Sequence, residues 1–131
     1  MMAHAHASIG KDHYAVKINA DGHMLVSDEP KTNGGGGTGP DPYELLLSSL
    51  GACTAITLRM YADRKNWNVD SIKIDLHYKR EDKAERIERR LHLEGQLDDE
   101  QKKRMAEIAE RTPVTLTLKN GLSITTELAA A

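Results

Sequence analysis

The run Gly39-Pro40-Asp41-Pro42-Tyr43-Glu44-Leu45-Leu46-Leu47-Ser48-Ser49-Leu50-Gly51-Ala52-Cys53 constrains what this chain can fold into more than any other segment. It carries its own helix start. Asp41 fits the N-cap, Pro42 the first helical position, where a missing N–H costs nothing, and Glu44 follows Asp41 by three residues, completing a capping box. From there to about Lys65 the composition stays helical, and it is apolar nearly all round until Arg59, as expected of a buried central helix. Arg64-Lys65-Asn66 then sets two cations and an asparagine where a helix C-terminus favours them. The only cysteine of the 131 residues, Cys53, lies in the middle of this helix.

Around it the patterning is mostly that of strands. Tyr14, Val16 and Ile18 alternate with polar residues and predict a half-buried strand over His13–Ile18, with Ala20-Asp21-Gly22 as the turn and Met24–Ser27 as the returning strand. Glu29-Pro30 ends it. Lys31–Pro40 is a Gly-rich loop that lacks the following Lys-Ser or Lys-Thr of a phosphate loop, so it reads as a flexible lead into the helix, with a lid over a small pocket as the lesser alternative. Ser71–Lys79 puts Ile72, Ile74, Leu76 and Tyr78 on one face and Lys73, Asp75, His77 and Lys79 on the other. Arg86–Gly95 repeats this with Ile87, Leu91 and Leu93 inward, and the polar stretch Arg80–Glu85 makes the two a hairpin. Asp98 to Gln101 offers a second capping box for a helix with Met105, Ile108 and Ala109 as its buried stripe, ending near Arg111. Val114–Leu118 alternates and by itself predicts a strand, although Thr112-Pro113 is also a pair that can open a helix. Asn120-Gly121 and a last strand over Leu122–Leu128 follow. The expectation is one α+β domain over 1–131, with residues 1–7 a loose, disordered arm.

With one tryptophan, four tyrosines and no phenylalanine, the core must come from Leu, Ile, Val, Met and Ala. That is thin for a monomer and makes a homodimer the expected state. The net charge of −2, with acids and bases interspersed, offers neither a basic footprint for nucleic acid nor a polybasic strip for a membrane. Leu45–Leu58 is interrupted by Ser48, Ser49, Cys53, Thr54 and Thr57 and falls short of the roughly 20 apolar residues of a span. Met1–Ala7 lacks the charged start and apolar stretch of a signal peptide, which predicts a cytoplasmic protein, and a single cysteine suits a reducing compartment. His4 and His6 have no third ligand nearby, and His77 and His92 fall on the wet face of the strands, so no metal or cofactor is expected.

Three side chains are candidates for chemistry. Cys53 is a nucleophile only if something favours its thiolate; otherwise it is a small buried hydrophobe. Nothing local favours the thiolate, so the group responsible must come from another element or another chain. Glu44 caps the helix on the plain reading, and the nine residues to Cys53 turn the two side chains to opposite sides. Arg89 is the odd charge on the inner face of its strand, where it needs an acceptor or an edge to reach, and it is a candidate for the missing cation.

The helix run resembles the signature of the OsmC/Ohr family of thiol-dependent peroxidases and their relatives. Asp21-Gly22-His23, Asp28-Glu29-Pro30, the Gly-rich loop, Ala109-Glu110-Arg111-Thr112-Pro113-Val114 and Asn120-Gly121 follow in the family's order, from roughly Asp12 to Leu128. The resemblance implies an OsmC-like α+β fold, antiparallel strands wrapped around paired central helices in an intertwined homodimer, with the reactive sites at the interface. It implies a short helix in place of the strand after Pro113. It also implies a role in oxidative or osmotic stress, in which Cys53 is oxidised by an organic hydroperoxide and Glu44 assists the activating cation. Family peroxidases resolve the oxidised thiol with a second cysteine just before the Pro-Val of the late helix, and here that position is Thr112. The family's activating arginine lies in the N-terminal part, yet no arginine occurs between Met1 and Leu58. Three readings remain: a one-cysteine hydroperoxide reductase served by an external thiol, a non-catalytic relative that binds a small apolar ligand, and a module whose interaction with a protein partner is its function.

Overall fold

The computed structural model describes residues 1–130. Two compact units make up the chain, Met1–Ser48 and Ser49–Ala131.

The first unit holds a three-stranded antiparallel sheet of β1 (Ala5–Ser8), β2 (Val16–Ala20) and β3 (His23–Ser27), in that order. The β2–β3 hairpin turns at Asp21-Gly22, both at positive φ, as the turn signal predicts. Strand β1 corrects the expectation of a disordered arm over residues 1–7. Ala5 to Ser8 pair with Ala20 to Lys17, and backbone pairing of this kind requires no apolar alternation in the added strand.

The Gly-rich loop is also tied down rather than loose. The Asp28 carboxylate accepts from Thr38 Oγ1 at 2.6 Å, Thr38 N at 3.1 Å, Glu29 N at 2.8 Å and Tyr14 N at 3.4 Å. Gly35 and Gly39 are glycines because a Cβ at either would run into the carbonyl of Glu29 or Val26. Asp28 is only 2% exposed, and the hydrogen bond from the Thr38 hydroxyl, followed by the one from the Thr38 amide, pulls its pKa down to about 2. A folded-state pKa below the unfolded value means that this carboxylate stabilises the loop fully above about 4 and loses its effect as the pH falls toward about 2. The protection of the Thr38 amide relative to its intrinsic exchange rate should therefore fall over that window, and Asp28→Asn should abolish the pH step. A Thr38 amide whose protection does not change from pH 5 to pH 2 contradicts this assignment.

Helix α1 (Pro42–Lys65) starts in the first unit and continues in the second. Its capping box forms as read: Glu44 N donates to Asp41 Oδ1 at 2.8 Å and Asp41 N to Glu44 Oε1 at 2.9 Å. Asn66, at φ 57°, ends it in the left-handed conformation. The second unit continues with β4 (Asn68–Glu81) and β5 (Ala84–Gln96), an antiparallel hairpin in which Ile72 pairs with Leu93, Ile74 with Leu91, Leu76 with Arg89 and Tyr78 with Ile87. The inner face is thus the one the alternation predicts. Ion pairs such as Lys73–Glu94 and Lys79–Glu88 line the other. Helix α2 (Asp99–Ala109) has the predicted Asp98/Gln101 capping box, and α3 (Pro113–Asn120) follows. Leu58, Ala62, Val69, Met105 and Ala109 form the core, flanked by Trp67, Ile72, Leu91, Leu93 and Leu97.

Three further expectations are corrected. Val114–Leu118 is helix, because Thr112 in extended conformation and Pro113 at the first helical position set the backbone locally, whatever the alternation suggests. Leu122–Leu128 forms no strand in the single chain, since nothing pairs with it there, and Leu122, Ile124 and Leu128 are exposed. Helix α1 is not buried all round: Leu50, Thr54, Leu58 and Ala62 make a buried stripe at four-residue spacing, while Ile56 and Met60 on the far side are 55% and 59% exposed. At 24 residues α1 is also long and apolar enough to cross a membrane by length and composition alone, contrary to the shorter run counted from Leu45 to Leu58.

Candidate functional site

The second unit brings Cys53, Arg89 and the Thr112 position into one neighbourhood. Cys53, half-buried, points from α1 toward the start of α3, where the Val114 backbone N–H donates to its sulfur at 3.4 Å. Thr57 Oγ1, one turn along α1, is 4.0 Å from the sulfur. Val114 is the second residue of α3, and Pro113 before it has no N–H, so this amide is the first free donor of a helix N-terminus. The sulfur therefore faces the N-terminus of a helix and accepts a backbone hydrogen bond there.

Thr112, two residues before Val114, is fully buried and caps nothing with its side chain. Its hydroxyl shares a 2.6 Å hydrogen bond with Thr115 Oγ1 instead. Arg89 reaches the same cluster from β5. Its Nη1 donates to Thr54 Oγ1 and to Thr115 Oγ1, both at 2.9 Å, and its Nη2 to the Ala109 carbonyl at 2.8 Å and to Glu110 Oε2 at 3.2 Å. Thr54 passes its own proton to the Leu50 carbonyl at 2.7 Å and Thr115 its own to the Ala109 carbonyl at 3.3 Å, so both hydroxyls that the guanidinium bonds donate as well as accept. The guanidinium is 12% exposed, and Lys119 holds Glu110 from the other side at 3.2 Å. Arg89 thus belongs to the site but bonds to the neighbours of Cys53 rather than to its sulfur.

Glu44 is occupied as a helix cap, in the first unit. Sequence reasoning missed Thr54, Thr115 and the Val114 amide. A run of threonines gives no chemical signal, and a backbone donor has no side chain to read. No group of three or more His, Cys, Asp or Glu suited to a metal ion occurs among the described residues.

A family profile described as OsmC-like protein matches residues 34–127, well over half of the sequence and including every residue of this cluster. The chain belongs to the OsmC family. The fold agrees with that of solved OsmC and Ohr structures. An OsmC-like protein from Mycoplasma pneumoniae superimposes with a TM-score of 0.79 at 20% identity, over 91% of this chain and 88% of that one. The organic hydroperoxide resistance protein OhrB of Bacillus subtilis gives 0.61 at 23% identity, over 92% and 93%. A Vibrio cholerae protein with a provisional organic hydroperoxide resistance assignment, holding captopril in one of its active sites, gives 0.65 at 18% identity, over 91% and 85%. No curated protein matches the sequence.

Proposed function

We propose that this OsmC-family protein reduces organic hydroperoxides in the cytoplasm as a homodimer, with Cys53 as its nucleophile and an external thiol in place of a resolving cysteine. The observation that carries this reading is the Val114 N–H directed at Cys53 Sγ, a donor brought to the sulfur by another element of the fold. The names of relatives in Bacillus subtilis and Vibrio cholerae support the substrate class. In the reaction the Cys53 thiolate attacks the distal peroxide oxygen, the O–O bond breaks, and the alkoxide takes a proton from solvent and leaves as an alcohol. Cys53 remains as a sulfenic acid. A small thiol then displaces water to give a mixed disulfide, and a second thiol frees Cys53 and departs as the oxidised disulfide. Thr112 cannot take part in that exchange, because a hydroxyl forms no disulfide.

The apolar side chains left exposed on α1, Ile56 and Met60, and those of the tail, Leu122 and Ile124, support the homodimer, since a second copy would cover them. Family membership supports a soluble protein, with α1 as a core helix. A second reading, a non-catalytic binder of a small apolar ligand, draws on the captopril held by the Vibrio cholerae relative.

Mixing reduced protein with an excess of an organic hydroperoxide and a sulfenate trap decides between them. Mass spectrometry should find the trap on Cys53, with hydroperoxide consumption that requires added thiol and vanishes in Cys53→Ser. A Cys53 that stays a free thiol throughout ends the peroxidase reading, and a small molecule retained through purification would then favour the binder.

A further inference from the structure

Arg89 is nearly buried on the inner face of a strand, and its ion-pair partner, Glu110, is a largely exposed side chain that it shares with Lys119. Holding a guanidinium there is unfavourable unless its donors are used. They are used in a particular way. One Nη1 bridges Thr54 on α1 and Thr115 on α3, and the Nη2 holds the Ala109 carbonyl at the end of α2. Thr54 is the residue after Cys53, and Thr115 is the residue after Val114. The guanidinium therefore fastens together the two backbone positions that carry the sulfur and its donor.

We propose that Arg89 is a positioning residue, which docks the first turn of α3 on α1 so that the Val114 N–H meets the Cys53 sulfur. This rests on Cys53 being the reactive group of the site. Residues 110–112 join α2 to α3, and α3 is a helix of just eight residues. A short helix of this kind has little stability of its own and is held by its contacts. Besides the Val114 N–H contact to the sulfur, the bridge from Arg89 ties the N-terminal turn of α3 to the cysteine helix by hydrogen bonds. The direction of those bonds matters as well as their number. Thr115 accepts from Arg89 and from Thr112 and gives its proton to the Ala109 carbonyl, so the first turn of α3 is held from three sides. A lysine has the charge but not the planar fork that reaches two hydroxyls and a carbonyl together.

The test uses the full chain and two measurements, the rate at which Cys53 is alkylated by iodoacetamide at neutral pH and the NMR position of the Val114 amide proton. Val114→Pro deletes the donor at a helix position where proline breaks no intrahelical bond, and alkylation should slow about threefold. Arg89→Lys and Thr115→Val, both milder than removal of the guanidinium, should slow it similarly and move the Val114 amide proton toward its unbonded position. Glu94→Gln, on the outer face of the same strand where it pairs with Lys73, should change neither. If Arg89→Lys and Thr115→Val lower thermal stability while the Val114 proton and the alkylation rate stay as in the parent, Arg89 is merely structural and the proposal is overturned. Hydroperoxide consumption measured on the same variants separates the two ideas. An inert Cys53 whose alkylation still depends on Val114 and Arg89 removes the peroxidase and keeps the positioning role, whereas peroxide turnover indifferent to every variant does the reverse.

Discussion

Oxidation of a Thr112→Cys variant is expected to close a disulfide from position 112 to Cys53 and to raise stability by about 4 kcal/mol over the reduced form, the entropic value for a closed loop of about 60 residues. The expectation comes from the site itself. Val114 N lies 3.4 Å from the sulfur and position 112 is two residues earlier, at the extended N-cap of the same helix, so the new thiol starts on the side of α3 that Cys53 faces. Reduced, the variant should lose about 1 kcal/mol, because the hydroxyl of Thr112 shares a buried bond with Thr115 that a thiol makes poorly. The cross-link would also free turnover from its dependence on a small resolving thiol and give it to a disulfide reductant. Peptide mapping without reduction, with urea unfolding of both forms, reads the outcome. Two free thiols under excess oxidant would show that the two positions do not meet.

Much of this fold was legible because its signals are local. The capping boxes at Asp41 and Asp98, the turn at Asp21-Gly22 and the inward series Ile72, Ile74, Leu76 each depend on residues within one or two turns or strands. The misreadings share the opposite cause. Alternation over Val114–Leu118 is real, but a helix of eight residues needs only a cap, a proline and a docking surface, and the last of these is formed by residues of β5 and α1. Strand β1 was invisible because His and Ala alternate without any apolar series, and pairing with β2 is a matter of backbone. At the site, Cys53 and Arg89 could be picked out by their oddness, a lone thiol in an apolar helix and a charge on an inner face. What joins them could not, because the joining groups are threonine hydroxyls 26 and 35 residues away from Arg89 and a main-chain amide 61 residues from Cys53.

Met105→Ala should cost about 2–5 kcal/mol, the range for emptying a fully buried methionine site. Met105 is completely buried and is the largest of the α2 side chains, with Ala109 and the partly buried Ile108, that pack against Leu58, Ala62 and Val69. No phenylalanine is available to fill the space, and Trp67 sits only at the margin of the cluster. Partial collapse of the neighbouring side chains into the space would bring the cost to the lower end of the range. Denaturant unfolding with an unchanged m-value would read this as stability alone, and a loss below about 1 kcal/mol would mean that α2 is held by something else. Ile56→Ala supplies the contrast. At 55% exposure in one chain, Ile56 should cost no more than about 0.5 kcal/mol if the chain works alone. A larger loss, with an unfolding midpoint that rises with protein concentration, is what a homodimer closing over the far face of α1 requires.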